Sequence, residues 1–132
     1  MHTLPVTVYY EDTDMGGIVY HANFLKFIER GRSAWVREMG VDQNALREAG
    51  LVFAVRHIEA DFRAPARLDD QLTVQTALSE VRGARFVMAQ EVLGPGGAVL
   101  FAATVTVVAM TLEGRPARLP RPLRERLAAP KA

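Results

Sequence analysis

The strongest constraint on the fold is one amphipathic helix with a glycine in the middle of its apolar face. Over residues 23–39, Phe24, Phe27, Ile28, Gly31, Trp35 and Met39 recur at helical spacing, with Lys26, Glu29, Arg30, Arg37 and Glu38 largely opposite. Asn23 reads as the N-cap and Gly40 as the stop. Gly31 costs roughly 1 kcal/mol of helix propensity relative to alanine. A helix that keeps glycine on its buried face is expected to lie close against a sheet.

The rest of the chain supplies that sheet. Residues 4–10 read as a first strand, and a second short helix fits residues 42–49, ending at Gly50. In residues 51–63 the apolar alternation runs through Leu51, Phe53 and Val55, then resumes on the other parity at Ile58, Ala60 and Phe62, which predicts a β-bulge. Residues 71–81 put Leu72, Val74, Thr76 and Leu78 on one face. Residues 85–93 and 98–111 flank Gly94-Pro95-Gly96-Gly97, a hairpin turn signal. The last strand is apolar on both faces, as expected of a central strand covered on both sides. Pro122 starts a short C-terminal helix with Leu123 and Leu127. One long helix followed by antiparallel strands is an α+β chain. At 132 residues, 49% of them hydrophobic, residues 1–132 fit a single domain with a real core.

Several function classes drop out. A formal net charge of +1 argues against nucleic-acid binding driven by bulk charge. Cysteine is absent, which removes disulfides, thiolate metal sites and thiol nucleophiles. The N-terminus lacks a basic region followed by an apolar stretch, and no apolar run approaches the roughly 20 residues needed to span a bilayer, so the expectation is a cytoplasmic protein. No Gly-x-Ser-x-Gly elbow, Walker loop or dinucleotide fingerprint is present.

Chemistry concentrates between Tyr10 and Asn23, in Tyr10-Glu11-Asp12-Thr13-Asp14-Met15-Gly16-Gly17-Ile18-Val19-Tyr20-His21-Ala22-Asn23. Here a carboxylate, an imidazole and a phenol adjoin a helix N-terminus, whose free N–H groups carry roughly half a positive charge. A carboxylate beside oriented N–H donors suits hydrolysis of an activated carbonyl. Each residue also has a plainer reading. Asp14 could satisfy turn N–H groups, His21 could be a polar cap, and Tyr10 could be an ordinary strand aromatic. Gly16 and Gly17 allow backbone conformations closed to other residues. Asp12 reads as structural, orienting the loop.

The order and spacing of these residues resemble the hotdog-fold acyl-CoA thioesterases of the 4-hydroxybenzoyl-CoA type, and more narrowly the bacterial branch associated with the Tol–Pal envelope system. The likeness continues through Phe27-Ile28-Glu29-Arg30-Gly31-Arg32, Ala64-Pro65-Ala66-Arg67-Leu68-Asp69-Asp70 and Pro116-Ala117-Arg118-Leu119-Pro120. It covers residues 5–127, with Met15 as a departure where a small residue or proline is expected. The resemblance implies a curled antiparallel sheet wrapped around one long central helix. It also implies hydrolysis of acyl-CoA to a free carboxylic acid and coenzyme A, with no cofactor or metal. Asp14 would be the catalytic carboxylate, attacking the thioester to give a mixed anhydride or activating water, with His21 and Tyr10 grouped around it. The main-chain N–H of His21 would hold the oxyanion, and Gly16 and Gly17 would let the thioester approach the backbone. Arg82, Arg85, Arg115 and Arg118 would grip the phosphates of coenzyme A, their plainer reading being a solvated basic face. Phe24 and Phe27 fit either the core or the acyl pocket. Family members form dimers that pair into tetramers, with the active site at the subunit interface. The alternative is a scaffold that binds acyl-CoA or an acidic acyl carrier protein near the envelope machinery with little turnover.

Overall fold

The computed structural model describes residues 1–128. Five antiparallel strands form one sheet in the order β1-β3-β4-β5-β2, with β1 at His2–Thr7, β2 at Leu51–Phe62, β3 at Gln71–Arg82, β4 at Arg85–Leu93 and β5 at Val99–Thr111. Helix α1, His21–Glu38, lies across one face of that sheet; α2, Gln43–Glu48, and α3, Arg121–Ala128, complete the chain. This is the curled sheet and central helix expected of a hotdog fold.

The expected apolar stripe of α1 is its buried face: Phe24, Phe27, Ile28, Gly31 and Trp35 are buried against Val74, Phe86, Met88, Phe101 and Val105. Phe24 stacks on Phe101, with ring centroids 5.2 Å apart, so Phe24 and Phe27 belong to the core. Gly31 is where helix and sheet come closest. A Cβ there would sit 2.7 Å from Val74 Cγ1 and 3.0 Å from Thr76 Oγ1. The cost in helix propensity therefore secures the close approach of the two layers.

The bulge in β2 falls between Val55 and His57, where the apolar parity changes in the sequence. Three local expectations differ from the structure. The first strand stops at Thr7, and Tyr10–Asp12 forms a 3-10 turn, because Val8 leaves the sheet to exchange hydrogen bonds with the 69–70 turn (Val8 N to Asp70 O, 3.0 Å; Asp69 N to Val8 O, 2.9 Å). Helix α1 begins at His21, with Tyr20 as its cap. Asn23 lies inside the helix and donates from Nδ2 to Asp12 O at 2.9 Å. Strand β5 is interior, but β4 is the middle strand, and only one face of β5 is covered: Phe101, Ala103, Val105, Val107 and Ala109 are buried, whereas Thr104 on the other face is exposed.

The 66–70 turn carries the one non-glycine residue with positive φ among the described residues, Asp69 at 70°. Arg67 N donates to Asp70 Oδ2 at 2.9 Å and Asp70 N to Arg67 O at 3.1 Å, which closes the turn around that residue. A β-branched side chain is strained in this region. Asp69→Val is expected to cost about 1–2 kcal/mol in urea denaturation, while Asp69→Gly should lose nothing. Equal stability of the valine variant and the parent would contradict this backbone conformation. No helix among the described residues is long and apolar enough to cross a membrane.

Candidate active site

Between β1 and α1 the chain folds into a tight hairpin whose tip carries Asp14. Thr13 bridges Val19, Asp14 N donates to Ile18 O at 2.9 Å, and Gly17 N donates back to Asp14 O at 3.0 Å. Gly17 takes φ +76°, a conformation that favours glycine, so the glycine at this position is what lets so short a turn close. The hairpin is anchored to the 64–70 segment by the Ile18–Arg67 bridge and by Val19 N donating to Ala66 O at 2.8 Å. Two segments far apart in sequence thus form one rigid platform at the entrance to α1.

Asp12 is the buried part of that platform. Its Oδ2 accepts from Tyr9 N at 2.9 Å, and its carbonyl accepts from Tyr20 N at 2.9 Å and from Asn23 Nδ2 at 2.9 Å. These bonds tie the loop to the first turn of α1, which is the structural role expected for Asp12. Asp14, by contrast, is exposed. Its Oδ1 accepts from Gly16 N at 2.9 Å, which holds the carboxylate in an Asx turn, and Oδ2 has no partner among the described residues. One oxygen orients the group and the other is left open to solvent.

His21 opens the helix, and its main-chain N–H has no acceptor among the described residues. Its ring packs on Tyr20, with centroids 4.5 Å apart, and meets Phe62 edge-on at 6.0 Å. Tyr10 sits in the 3-10 turn at 83% exposed, and Met15 at the hairpin tip is fully exposed. The structure therefore gathers Asp14, Gly16, Gly17 and His21 on one loop, with Tyr10 at its base. All of them open to solvent in a single chain.

The arginines lie elsewhere. Arg82 and Arg85 flank the β3–β4 turn and, with Arg56, Met110 and Pro116, line a cavity of about 520 Å³. Arg82 pairs with Glu80. Exposed Arg118 precedes Leu119, whose N–H donates to Gly83 O at 3.0 Å, so it lies beside the same turn. Arg85 aligns with Val108 on β5 and Phe62 with Phe101, which puts the two ends roughly 23 Å apart at about 3.3 Å per residue. Within one chain the arginines and Asp14 are not brought together.

Two groups were not singled out in the sequence. Arg56 adds a third guanidinium to the arginine cavity. Arg32 on α1 donates from Nη1 to Gln90 Oε1 at 3.1 Å, and burial pushes its guanidinium below the usual value, with Glu29 opposing the shift. The available signal was Gln90 itself, a polar residue on the buried parity of Phe86, Met88 and Val92.

The model of the thioesterase-like superfamily matches residues 8–127. The acyl-CoA thioester hydrolase YbgC of Escherichia coli is 42% identical over 118 residues, covering 89% of this chain and 88% of the relative. The acyl-CoA thioesterase YbgC of Haemophilus influenzae is also 42% identical, over 83% of this chain and 81% of its own. A probable thioesterase from Bartonella henselae superposes with a TM-score of 0.86 at 43% identity, covering 90% of this chain and 98% of the other.

Proposed function

The chain belongs to the thioesterase-like superfamily and is an acyl-CoA thioester hydrolase; we propose that it performs this reaction with Asp14 at the N-terminus of α1. The observation that carries this reading is a carboxylate with one free oxygen on a hairpin that leads directly into an unpartnered helix N–H at His21. A thioester carbonyl directed at that N–H gains stabilisation as its oxygen becomes anionic. Asp14 Oδ2 then either attacks the carbonyl carbon, giving a mixed anhydride that water opens, or takes a proton from the attacking water. Both routes expel the coenzyme A thiolate, which collects a proton, and both leave a free carboxylic acid. Tyr10 and the His21 ring serve as positioning groups around the water and the carboxylate. Release of free thiol from a panel of acyl-CoAs, followed with a thiol reagent, tests the activity. Silence across aromatic, short-chain and long-chain acyl groups would overturn it.

A second copy completes the site in this reading. β2 is an edge strand, hydrogen-bonded among the described strands only to β5, and it exposes Val55 and Phe62. Antiparallel pairing of two β2 edges about a twofold axis sets Phe62 of one copy, and the His21 ring resting on it, beside the Leu51 end of the other. Since Arg85 aligns with Val108 and Val108 with Ala54, that pairing also carries Arg82, Arg85 and neighbouring Arg118 towards the Asp14 loop of the second copy, where they can hold the coenzyme A phosphates. Light scattering at micromolar concentration should give a mass of at least twice the 14.6 kDa of one chain. A single 14.6 kDa species with full activity would eliminate the shared site.

A further inference from the structure

Beneath the second half of α1 lies a cavity of about 360 Å³ that the hydrolytic steps do not use. Phe53, Phe86, Met88 and Val107 give it apolar walls, Glu29, Arg32 and Ser33 enter from the helix, and Gln43 closes one side. The guanidinium is fixed from below. Gln90, only 1% exposed, donates from Nε2 to Ile28 O at 2.8 Å and to Thr76 Oγ1 at 2.9 Å. Those two bonds set the amide so that Oε1 faces Arg32 Nη1 at 3.1 Å.

This arrangement is costly as a purely structural feature. A guanidinium has five N–H donors, and here a neutral amide takes one of them, while no ion pair joins Arg32 to a carboxylate among the described residues. Glu29 is near enough to favour the charge but makes no such contact. A half-buried cation, held by a buried amide and open on its other side to a cavity with both apolar and polar walls, is organised in advance for an anionic acceptor.

We propose that Arg32 is a specificity-determining residue that receives the far end of the acyl group, and that the favoured acyl groups end in a carboxylate. The guanidinium takes that carboxylate in two parallel N–H···O bonds, and the methylene chain lies on Phe53, Phe86 and Met88. This assignment rests on the hydrolase reading and on the paired β2 edges. The stretch of α1 from His21 to Arg32 spans roughly 16 Å at 1.5 Å per residue, and Phe24, Phe27 and Ile28 are packed into the core along it. The cavity is therefore served by the other copy, whose Phe62 and His21 stand beside the Leu51–Phe53 end of β2.

Matched substrates test the idea: glutaryl-, adipyl- and suberyl-CoA, each against the branched acyl-CoA in which an isopropyl group replaces the carboxylate. The expected kcat/KM ratio in the parent protein favours at least one carboxylate partner by about tenfold or more, since a site built to pair a polar group rejects the analogue lacking it. Arg32→Gln should bring that ratio to within about threefold of unity, and Gln90→Leu, which removes the tether but keeps the cation, should lower it part of the way. A purely structural role for Arg32 would slow both members of a pair and leave the ratio as it was. A parent ratio at or below one, or an unchanged ratio in the folded Arg32→Gln protein, overturns the assignment. Should Arg32→Gln fail to fold, the parent ratio together with Gln90→Leu decides. Thiol release from the apolar substrates alone defeats this inference and leaves the hydrolase reading standing; no release from any substrate defeats both.

Discussion

Asp14→Asn is expected to reduce kcat for the best acyl-CoA by at least about 100-fold, the scale of losing a positioned acid–base group or nucleophile. Stability should not change. Asp14 is exposed, and its one hydrogen bond, accepted by Oδ1 from Gly16 N, can be accepted equally well by an asparagine oxygen. The variant therefore isolates chemistry from folding, and a near-parental rate would show that the carboxylate has no part in turnover. His21→Ala should cost less, because alanine keeps the main-chain N–H proposed to hold the developing oxyanion. His21→Pro deletes that N–H, whose loss alone is worth roughly 100- to 1,000-fold, and it should be at least as damaging as Asp14→Asn. If a folded His21→Ala protein proves as inactive as Asp14→Asn, the imidazole is itself an essential acid or base.

Gly31→Ala should destabilise the fold by about 1–3 kcal/mol, the range for overpacking a tight interior. Helix propensity predicts the opposite sign, a gain of roughly 1 kcal/mol. Geometry decides between them. The added methyl would stand 2.7 Å from Val74 Cγ1 and 3.0 Å from Thr76 Oγ1, both on fully buried side chains of β3. Neither atom is the end of a flexible chain, so α1 would have to lift from the sheet, straining the bonds from Gln90 to Ile28 O and Thr76. Urea denaturation measures the outcome directly, and a more stable alanine variant would contradict the close approach of helix to sheet.

Much of the architecture could be read one element at a time. The apolar stripe of α1, the parity change that becomes the Val55–His57 bulge, the Gly94–Gly97 turn between β4 and β5, and the leucines of α3 are all written in spacings shorter than a single element. Hydrophobic periodicity and turn chemistry act over a few residues, so they survive in the sequence without knowledge of the fold. The loop before α1 was legible in the same way, since Asp14, Gly16 and Gly17 lie within one hairpin and His21 opens the helix that follows it.

What the sequence by itself determined, then, is an α+β chain with one glycine-bearing helix on an antiparallel sheet and an acidic, glycine-bearing loop before that helix. Tertiary structure decided the rest, because it depends on pairings between distant segments that no local pattern encodes. The bridge from Ile18 to Arg67 makes the loop rigid, and the exchange between Val8 and the 69–70 turn ends β1 at Thr7 and releases Tyr10 from the sheet. Asn23, a cap by residue type, is drawn into the helix because Asp12 O offers it a buried acceptor. The arginines look like neighbours of the site in the chain's list of motifs, yet strand register carries them to the opposite end of the sheet. Arg32 and Gln90, 58 positions apart, meet only because Gly31 lets the helix settle onto β3 and β4.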